Sequence, residues 1–346
     1  MDEKAGSARG IPPRPRKPTM SDVAARVGVS RAAVSLVFRN APGASARTRE
    51  RVFRAAAELG YRPDIAARLL ASGRSRMLGV LFTVRNPFHV DIVETIYPAA
   101  EERGYDIVLS AHVPARDEHK AIEALIGHRS EALILLGPII PAAEIAALGR
   151  RVPTVVVSRR LRGEPVDVVT TRDRPGVREV MEYLIGLGHR EIVHVDGGSG
   201  PGSAERRRVY RELMRGHGLG DRVRVITGDH TEESGAAAAG ALLALPRLPT
   251  AVFAGNDLCA IGMLDVFRRA GISVPEQISI VGYDDSRIAR LSHIDLTTVR
   301  QDVPRLAEEA VRAADEQLDG AREAGAELLL DSGLVVRGTT APPRMG

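Results

Sequence analysis

The pattern of apolar and polar positions changes once along this chain, near residue 77. Before that point apolar residues recur at helical spacing. Thr19 precedes a first helical stretch and Asp22 follows three residues on, the arrangement of a capping box. Val23, Ala24 and Val27 then share one face, and Gly28-Val29 makes a turn. Ser30 is placed to cap a second helix, Arg31 to about Phe38, with Val34 and Val37 turned inward. After the break Asn40-Ala41-Pro42-Gly43, Ser45 can cap a third helix whose residues Val52, Phe53, Ala56 and Leu59 have helical spacing. Gly60 ends it, as glycine does at a left-handed C′ position. Beyond Pro63, Asp64 can cap a short helix, Ile65 to Ala71, and Ser72-Gly73-Arg74-Ser75-Arg76 has linker composition.

From Met77 short apolar runs alternate with helical patterns. The runs are Leu78–Phe82, Asp106–Leu109, Ala132–Leu136, Thr154–Val157, Ile192–Val195, Val223–Ile226, Ala251–Ala254 and Ile278–Val281. Between them lie helical patterns such as Ile92–Glu102, Val177–Leu187, Ala204–Arg215 and Cys259–Ala270. Such alternation predicts parallel sheets covered by helices. The strands are too many for one simple sheet of this class, so two α/β lobes are expected.

Charge divides at the same place. Residues 1–76 hold 16 Lys and Arg against 6 Asp and Glu, whereas the remainder holds 32 against 38. A basic front on an acidic body predicts that only the front meets a polyanion. Residues 1–17, rich in Pro, Gly, Arg and Lys, read as a flexible basic tail. The single cysteine, Cys259, sits in an apolar stretch and reads as a buried structural thiol. No apolar run approaches the roughly 18 residues that cross a membrane, and the N-terminus lacks an apolar signal core, so a cytoplasmic protein is expected.

The stretch Thr19-Met20-Ser21-Asp22-Val23-Ala24, with Gly28-Val29-Ser30, Val34-Ser35, Thr48-Arg49 and Leu59-Gly60-Tyr61-Arg62-Pro63, resembles the reading head of the lactose/galactose repressor family. Leu187-Gly188-His189-Arg190, Asn256-Asp257, Val281-Gly282-Tyr283-Asp284-Asp285 and Thr297-Thr298-Val299-Arg300-Gln301 are similar, in order and spacing, to its core. The likeness spans roughly residues 18–341. It implies an all-α helix-turn-helix head (18–63), a hinge helix and linker (64–76), and a two-lobed α/β core like a periplasmic binding protein, with parallel sheets (77–341). The N-lobe would take about 77–171 and 300–327, and the C-lobe about 172–299 and 328–341. It also implies a homodimer on a pseudo-palindromic double-stranded operator and a small-molecule effector such as a sugar or sugar derivative. No leucine-repeat helix of the kind that makes some members tetramers is expected after Thr339-Thr340-Ala341-Pro342-Pro343.

A recognition helix needs its first side chains free to reach base edges in the major groove. Here these are Arg31, which can offer paired donors to guanine, and Ala32, suited to apolar contact with a thymine methyl. Thr19, Ser30, Ser35, Arg39, Ser45 and Thr48 are the further candidates for DNA contact. By the resemblance, Leu70 is a wedge for the minor groove, and small residues including Ala71 let two hinge helices approach.

Ligands of open α/β sheets sit beyond the carboxyl ends of the strands. Asn86-Pro87-Phe88, Asn256-Asp257 and Asp284-Asp285 fall there. By the resemblance, Arg207, Asn256, Asp284 and Gln301 contact the effector and Phe88 forms a wall; Asn256 equally suits a helix cap, and Arg207 lies in Arg206-Arg207-Arg208, whose register is open by one residue. Two positions depart from the family. Ser158, followed by Arg159-Arg160, stands where many sugar-binding relatives have Asp, and His230 stands where many stack an aromatic ring. The added positive charge points to an acidic or phosphorylated effector. The rival classes are a sugar-active enzyme and an exported solute-binding protein. Gly197-Gly198-Ser199-Gly200-Pro201-Gly202 lacks the ending of a phosphate loop and the G-x-S-x-G nucleophile pattern, and the histidines show no metal-ligand spacing. No enzyme activity, cofactor or metal is expected.

Overall fold

The computed structural model describes residues 16, 18–38, 41–61, 74–161 and 163–344. The chain divides into two compact units, Met1–Ser75 and Arg76–Gly346.

The first unit contains α1 (Met20–Val27), α2 (Arg31–Phe38) and α3 (Ala46–Leu59). Thr19 and Asp22 form the expected capping box, Ser30 Oγ accepts from the Ala33 amide, and Ser45 Oγ accepts from the Thr48 amide. Gly28 and Gly60 close α1 and α3 with left-handed backbone at φ 74° and 65°. Val23, Val27, Val34, Val37, Val52 and Tyr61 make one shared core. Phe53 does not join it: its side chain is 51% exposed and meets Phe38 edge-on, with ring centroids 5.6 Å apart. The buried stripe of α3 runs through Val52, Ala55, Ala56 and inward-leaning Leu59. Phe53 lies one residue, about 100° of helical rotation, past that stripe. The expected hinge helix, with Arg39, Leu70 and Ala71, lies outside the described residues.

The second unit has two lobes. The first is a six-stranded parallel sheet of β1 (Met77–Thr83), β2 (Asp106–His112), β3 (Ala132–Leu136), β4 (Thr154–Val157), β5 (Asp167–Thr171) and β11 (Glu327–Leu330), in the order β2-β1-β3-β4-β5-β11. One face packs on α4 (Pro87–Glu102) and α11 (Val303–Leu318), through Ile92, Ile96, Leu306 and Ala310. The other packs on α5 (Glu118–Gly127) and α6 (Ala142–Gly149), through Leu125 and Ile145. Covered on both sides, β3 reads as an unbroken apolar run.

The second lobe is a four-stranded parallel sheet of β6 (Ile192–Val195), β7 (Arg224–Ile226), β8 (Ala251–Ala254) and β9 (Ser279–Val281), in the order β7-β6-β8-β9. Helices α7 (Asp173–Gly186) and α8 (Ser203–Gly216) cover one face, and α9 (Glu232–Leu243) and α10 (Asp257–Arg269) the other. The chain passes between lobes after β5, through β10 (Thr298–Gln301), and through β12 (Ser332–Val335), which pairs antiparallel with β10.

Several boundaries move from the sequence reading. Glu327–Leu330 pairs in parallel with Val168–Thr171, so the expected lobe break at 327 falls inside a strand and shifts to Asp331. Strands expected at Val223–Ile226 and Ile278–Val281 begin one residue later, at Arg224 and Ser279. Helices α4, α7, α8 and α10 start earlier than the stretches expected from Ile92, Val177, Ala204 and Cys259, at Pro87, Asp173, Ser203 and Asp257.

Helices α9 and α10 meet through two glycines. A Cβ on Gly235 would lie 2.0 Å from the Cys259 carbonyl oxygen, and one on Gly262 would lie 2.0 Å from that of Glu232. Gly262→Ala must push the helices apart and is expected to cost about 1–3 kcal/mol, the usual range for overpacking. Thermal unfolding checks this: the midpoint should fall by several degrees, and an unchanged midpoint would show that the pair re-spaces freely.

Candidate functional site

Two regions carry the chemistry. In the first unit, the described polar candidates other than Ser35 cluster at helix starts. Thr19 caps α1, Ser30 caps α2, and Ser45 and Thr48 share a 2.9 Å hydrogen bond at the start of α3. Arg31 and Ala32 occupy the exposed first turn of α2, and Arg31 has no hydrogen bond or ion pair among the described residues. Ser35 is half-exposed one turn further on. The first turn of α2 thus offers a free guanidinium beside a helix N-terminus, a surface that attracts phosphate and can read base edges.

In the second unit a cleft of about 230 Å³ opens between the lobes, beyond the carboxyl ends of the strands. Phe88, Ser158, His230, Asn256, Asp284 and Gln301 all line it. Phe88 is 3% exposed on the first turn of α4, which Asn86 caps. Asn256 takes the cap role: its Oδ1 caps α10 by accepting from Cys259 N, while its Nδ2 donates to the His230 carbonyl. Gln301 Nε2 donates to Asp284 Oδ1 at 2.8 Å, joining the returning strand β10 to the end of β9. The His230 ring lies against Gly197, where a Cβ would sit 1.9 Å from Nε2.

The arginine of the cleft is Arg206, not Arg207. On α8 the two side chains diverge by about 100°. Arg207 reaches back to Asp196, which also accepts from the Gly198 amide and braces the loop before α8. Arg206 points into the cleft floor. Its Nε donates to Asp173 at 2.8 Å, one terminal nitrogen donates to the Gly255 carbonyl, and the guanidinium lies 3.5 Å above the Tyr283 ring. Burial opposes its charge, but Asp173, Tyr283 and Asp284 more than offset that, so its proton is held above the usual arginine range.

The sequence reading names neither His89 nor His112 as a cleft residue, yet both line the cleft. His89 Nδ1 accepts from the Thr83 amide at 3.2 Å, so the ring proton sits on Nε2 as a donor. Burial pushes the His89 pKa down to about 4; burial, followed by the Arg206 charge, pushes that of His230 to about 3. Burial, then the neighbouring Asp257, raises Asp284 well above the carboxylate range. The cleft is therefore a polar chamber with the buried Arg206 at its floor and Arg85, Asp229 and Glu232 also in its lining, suited to sorting hydroxyl-rich ligands by hydrogen bonds. The one available signal for His89 was its place directly after Asn86-Pro87-Phe88, beyond the first core strand.

Cys259 is buried as expected, and burial lifts its thiol to about 12. Among the described residues no group of His, Cys, Asp and Glu could hold a metal ion, and no helix is long and apolar enough to cross a membrane.

Comparison with known proteins follows the same division. Residues 19–64 match bacterial regulatory proteins of the lacI family, and residues 181–340 match a periplasmic binding protein-like domain. The HTH-type transcriptional regulator DegA of Bacillus subtilis is 31% identical over 334 residues, covering 94% of this chain and 99% of DegA. A LacI transcriptional regulator from a Rhodococcus species is 47% identical, with a TM-score of 0.74 over 77% of this chain and 98% of that one. The lac repressor dimer bound to operator and the anti-inducer ONPF is 28% identical, with a TM-score of 0.81 over 94% of this chain and all of the other. With a matching head, a matching two-lobed core and a relative alike along nearly its whole length, this chain belongs to the lacI family of bacterial regulatory proteins and is a DNA-binding transcriptional regulator.

Proposed function

We propose that the protein is a cytoplasmic repressor that binds a pseudo-palindromic operator as a homodimer and leaves it when a sugar or sugar derivative enters the cleft. The observation that carries this reading is the coexistence, in one chain, of an exposed Arg31 at the start of α2 and a polar cleft built around the buried Arg206. Arg31 pairs with guanine O6 and N7, and Ala32 meets a thymine methyl. Thr19, Ser30, Ser35, Ser45 and Thr48, with Arg39, set the register on phosphates. Leu70 enters the minor groove at the operator centre and Ala71 permits close approach of two hinge helices.

Arg206, Asn256, Asp284 and Gln301 hold the effector's hydroxyl groups, with Phe88 and His230 as walls and Ser158 at the far end. The ligand leaves chemically unchanged. It biases an equilibrium between two lobe arrangements, and only a differential affinity for them shifts the population. The lobes already touch across the cleft mouth, where Arg85 and Glu233 lie 3.0 Å apart. Both side chains are well exposed, so this pair adds at most about 1 kcal/mol.

Titration of the purified chain against its own upstream DNA and against random DNA tests the reading. Specific binding should exceed nonspecific by about a thousandfold or more. Arg31→Ala should cost about 1–3 kcal/mol on the operator and little on random DNA. An equal loss on both would make Arg31 a phosphate contact. For the cleft, Gln301→Leu strands the Asp284 carboxyl without its amide partner. It should raise the effector concentration for half-maximal operator release about tenfold, the effect of one lost polar hydrogen bond. An unchanged response would place the effector elsewhere.

A further inference from the structure

The cleft has a second chamber. A cavity of about 530 Å³ continues past Ser158, Pro201 and Arg206, away from Phe88 and toward the starts of α7 and α8. Four features of its wall share one sign. Helices α7 and α8, each 14 residues long, both begin at it, and neither has a side-chain cap at its N-terminus. Uncapped helix starts present free amide donors and a positive dipole end. Thr171 lines the chamber at 6% exposure, and its buried hydroxyl has no hydrogen-bond partner among the described residues; the buried Ser158 hydroxyl at the junction has none there either.

The fourth feature is Arg159. The other arginines of the wall are each met by a carboxylate: Arg160 by Glu327, Arg172 by Asp331, Arg174 by Glu212 and Arg206 by Asp173. The acids of the wall are matched as well, Asp173 by Arg206 and Glu205 by Arg208. Among the described residues Arg159 alone of this wall makes no ion pair, and donates only to the carbonyl oxygens of Pro138 and Ile140. Its nearest acid, Glu118, is taken up by the amides of Ile139 and Ile140. Burial accordingly lowers the Arg159 pKa. A half-buried guanidinium without a counter-charge is costly, and its planar fork matches a carboxylate or phosphate.

We propose that this second chamber is an anion subsite, and that the effector is an acidic one whose carboxylate or phosphate sits against Arg159, Thr171 and the starts of α7 and α8 while its hydroxyls occupy the inner cleft. This inference rests on the reading of the cleft as the sensing site and names the chemical class that it senses. The Ser158 hydroxyl, at the wall common to both chambers, bridges the two parts of the ligand.

Inorganic phosphate is the first probe, followed on the full-length chain by thermal unfolding and calorimetry at constant ionic strength. Phosphate should raise the unfolding midpoint. Arg159→Gln should weaken its binding at least tenfold. Thr171→Val, which removes only an unpartnered hydroxyl and keeps the shape, should fold normally and weaken it about threefold. Phosphate that leaves the midpoint unchanged, or that stabilises Arg159→Gln as much as wild type, overturns the proposal. The second arm compares glucose and galactose with their uronates and 6-phosphates. At least one acidic form should bind tenfold more tightly than its neutral parent, and the better of the two identifies carboxylate or phosphate as the source. If neutral sugars bind as well as acidic ones and release the operator, the sensing reading stands and the anion subsite falls. If phosphate occupies the chamber but no sugar of either kind alters operator affinity, the subsite stands and the sensing reading falls.

Discussion

The buried charge of Arg206 is the constraint around which the cleft is organised. A guanidinium taken out of water costs several kcal/mol unless its donors and its charge are both answered. The answers come from three separate places: Asp173 at the start of α7, the Gly255 carbonyl after β8, and the Tyr283 ring after β9. Each belongs to a different connection: the crossover from β5 to α7, the turn from β8 to α10, and the loop from β9 toward β10. The arginine therefore ties the first crossover between lobes to the strand ends that line the cleft. Asp284 and Gln301, one residue beyond Tyr283 and at the end of β10, complete the same floor. Removing the charge would leave Asp173 buried beside an apolar ring, so the cleft and the fold of this lobe share one determinant.

Much of this was legible in the chain because burial on both faces writes an unmistakable signal. Ala132–Leu136 and Ala251–Ala254 appear as unbroken apolar runs and are strands at those bounds. The crossover strands were not legible. Thr298–Gln301 and Ser332–Val335 form a two-stranded ribbon whose mixed, partly exposed side chains lack that signal. Helix α9, rich in alanine, has little contrast between its faces and owes its place to Gly235 and Gly262 rather than to an apolar stripe.

The site divides in the same way. Phe88, Asn256, Asp284 and Gln301 could be placed because ligand positions at strand ends follow from topology. The arginine could not be placed to better than a residue, because its direction depends on where the helix begins. Gly202 and Ser203 set that phase, and they turn Arg206 inward and Arg207 toward Asp196. Phe53 failed for the same reason, one residue off a stripe defined by Val52 and Ala55. His89 was invisible for a different one: a histidine beside a phenylalanine on a helix start looks alike in sequence whether it packs or binds. Only the Thr83 amide, by occupying Nδ1, assigns it a donor facing the ligand.

The threefold passage between lobes has a consequence for how the molecule is made. The first sheet receives its outermost strand, Glu327–Leu330, and one of its covering helices, Val303–Leu318, only after all four strands of the second sheet have been made. Until then the face that includes Ile134 and Val155 is covered by α4 alone. Contacts so distant in sequence slow folding and leave hydrophobic surface open in the interval. The second lobe, whose sheet is drawn from one continuous stretch, can close first and serve as the anchor against which the earlier half is finished. The threefold crossing thus imposes an order on synthesis, in which the sheet begun first is finished only after the second sheet is complete.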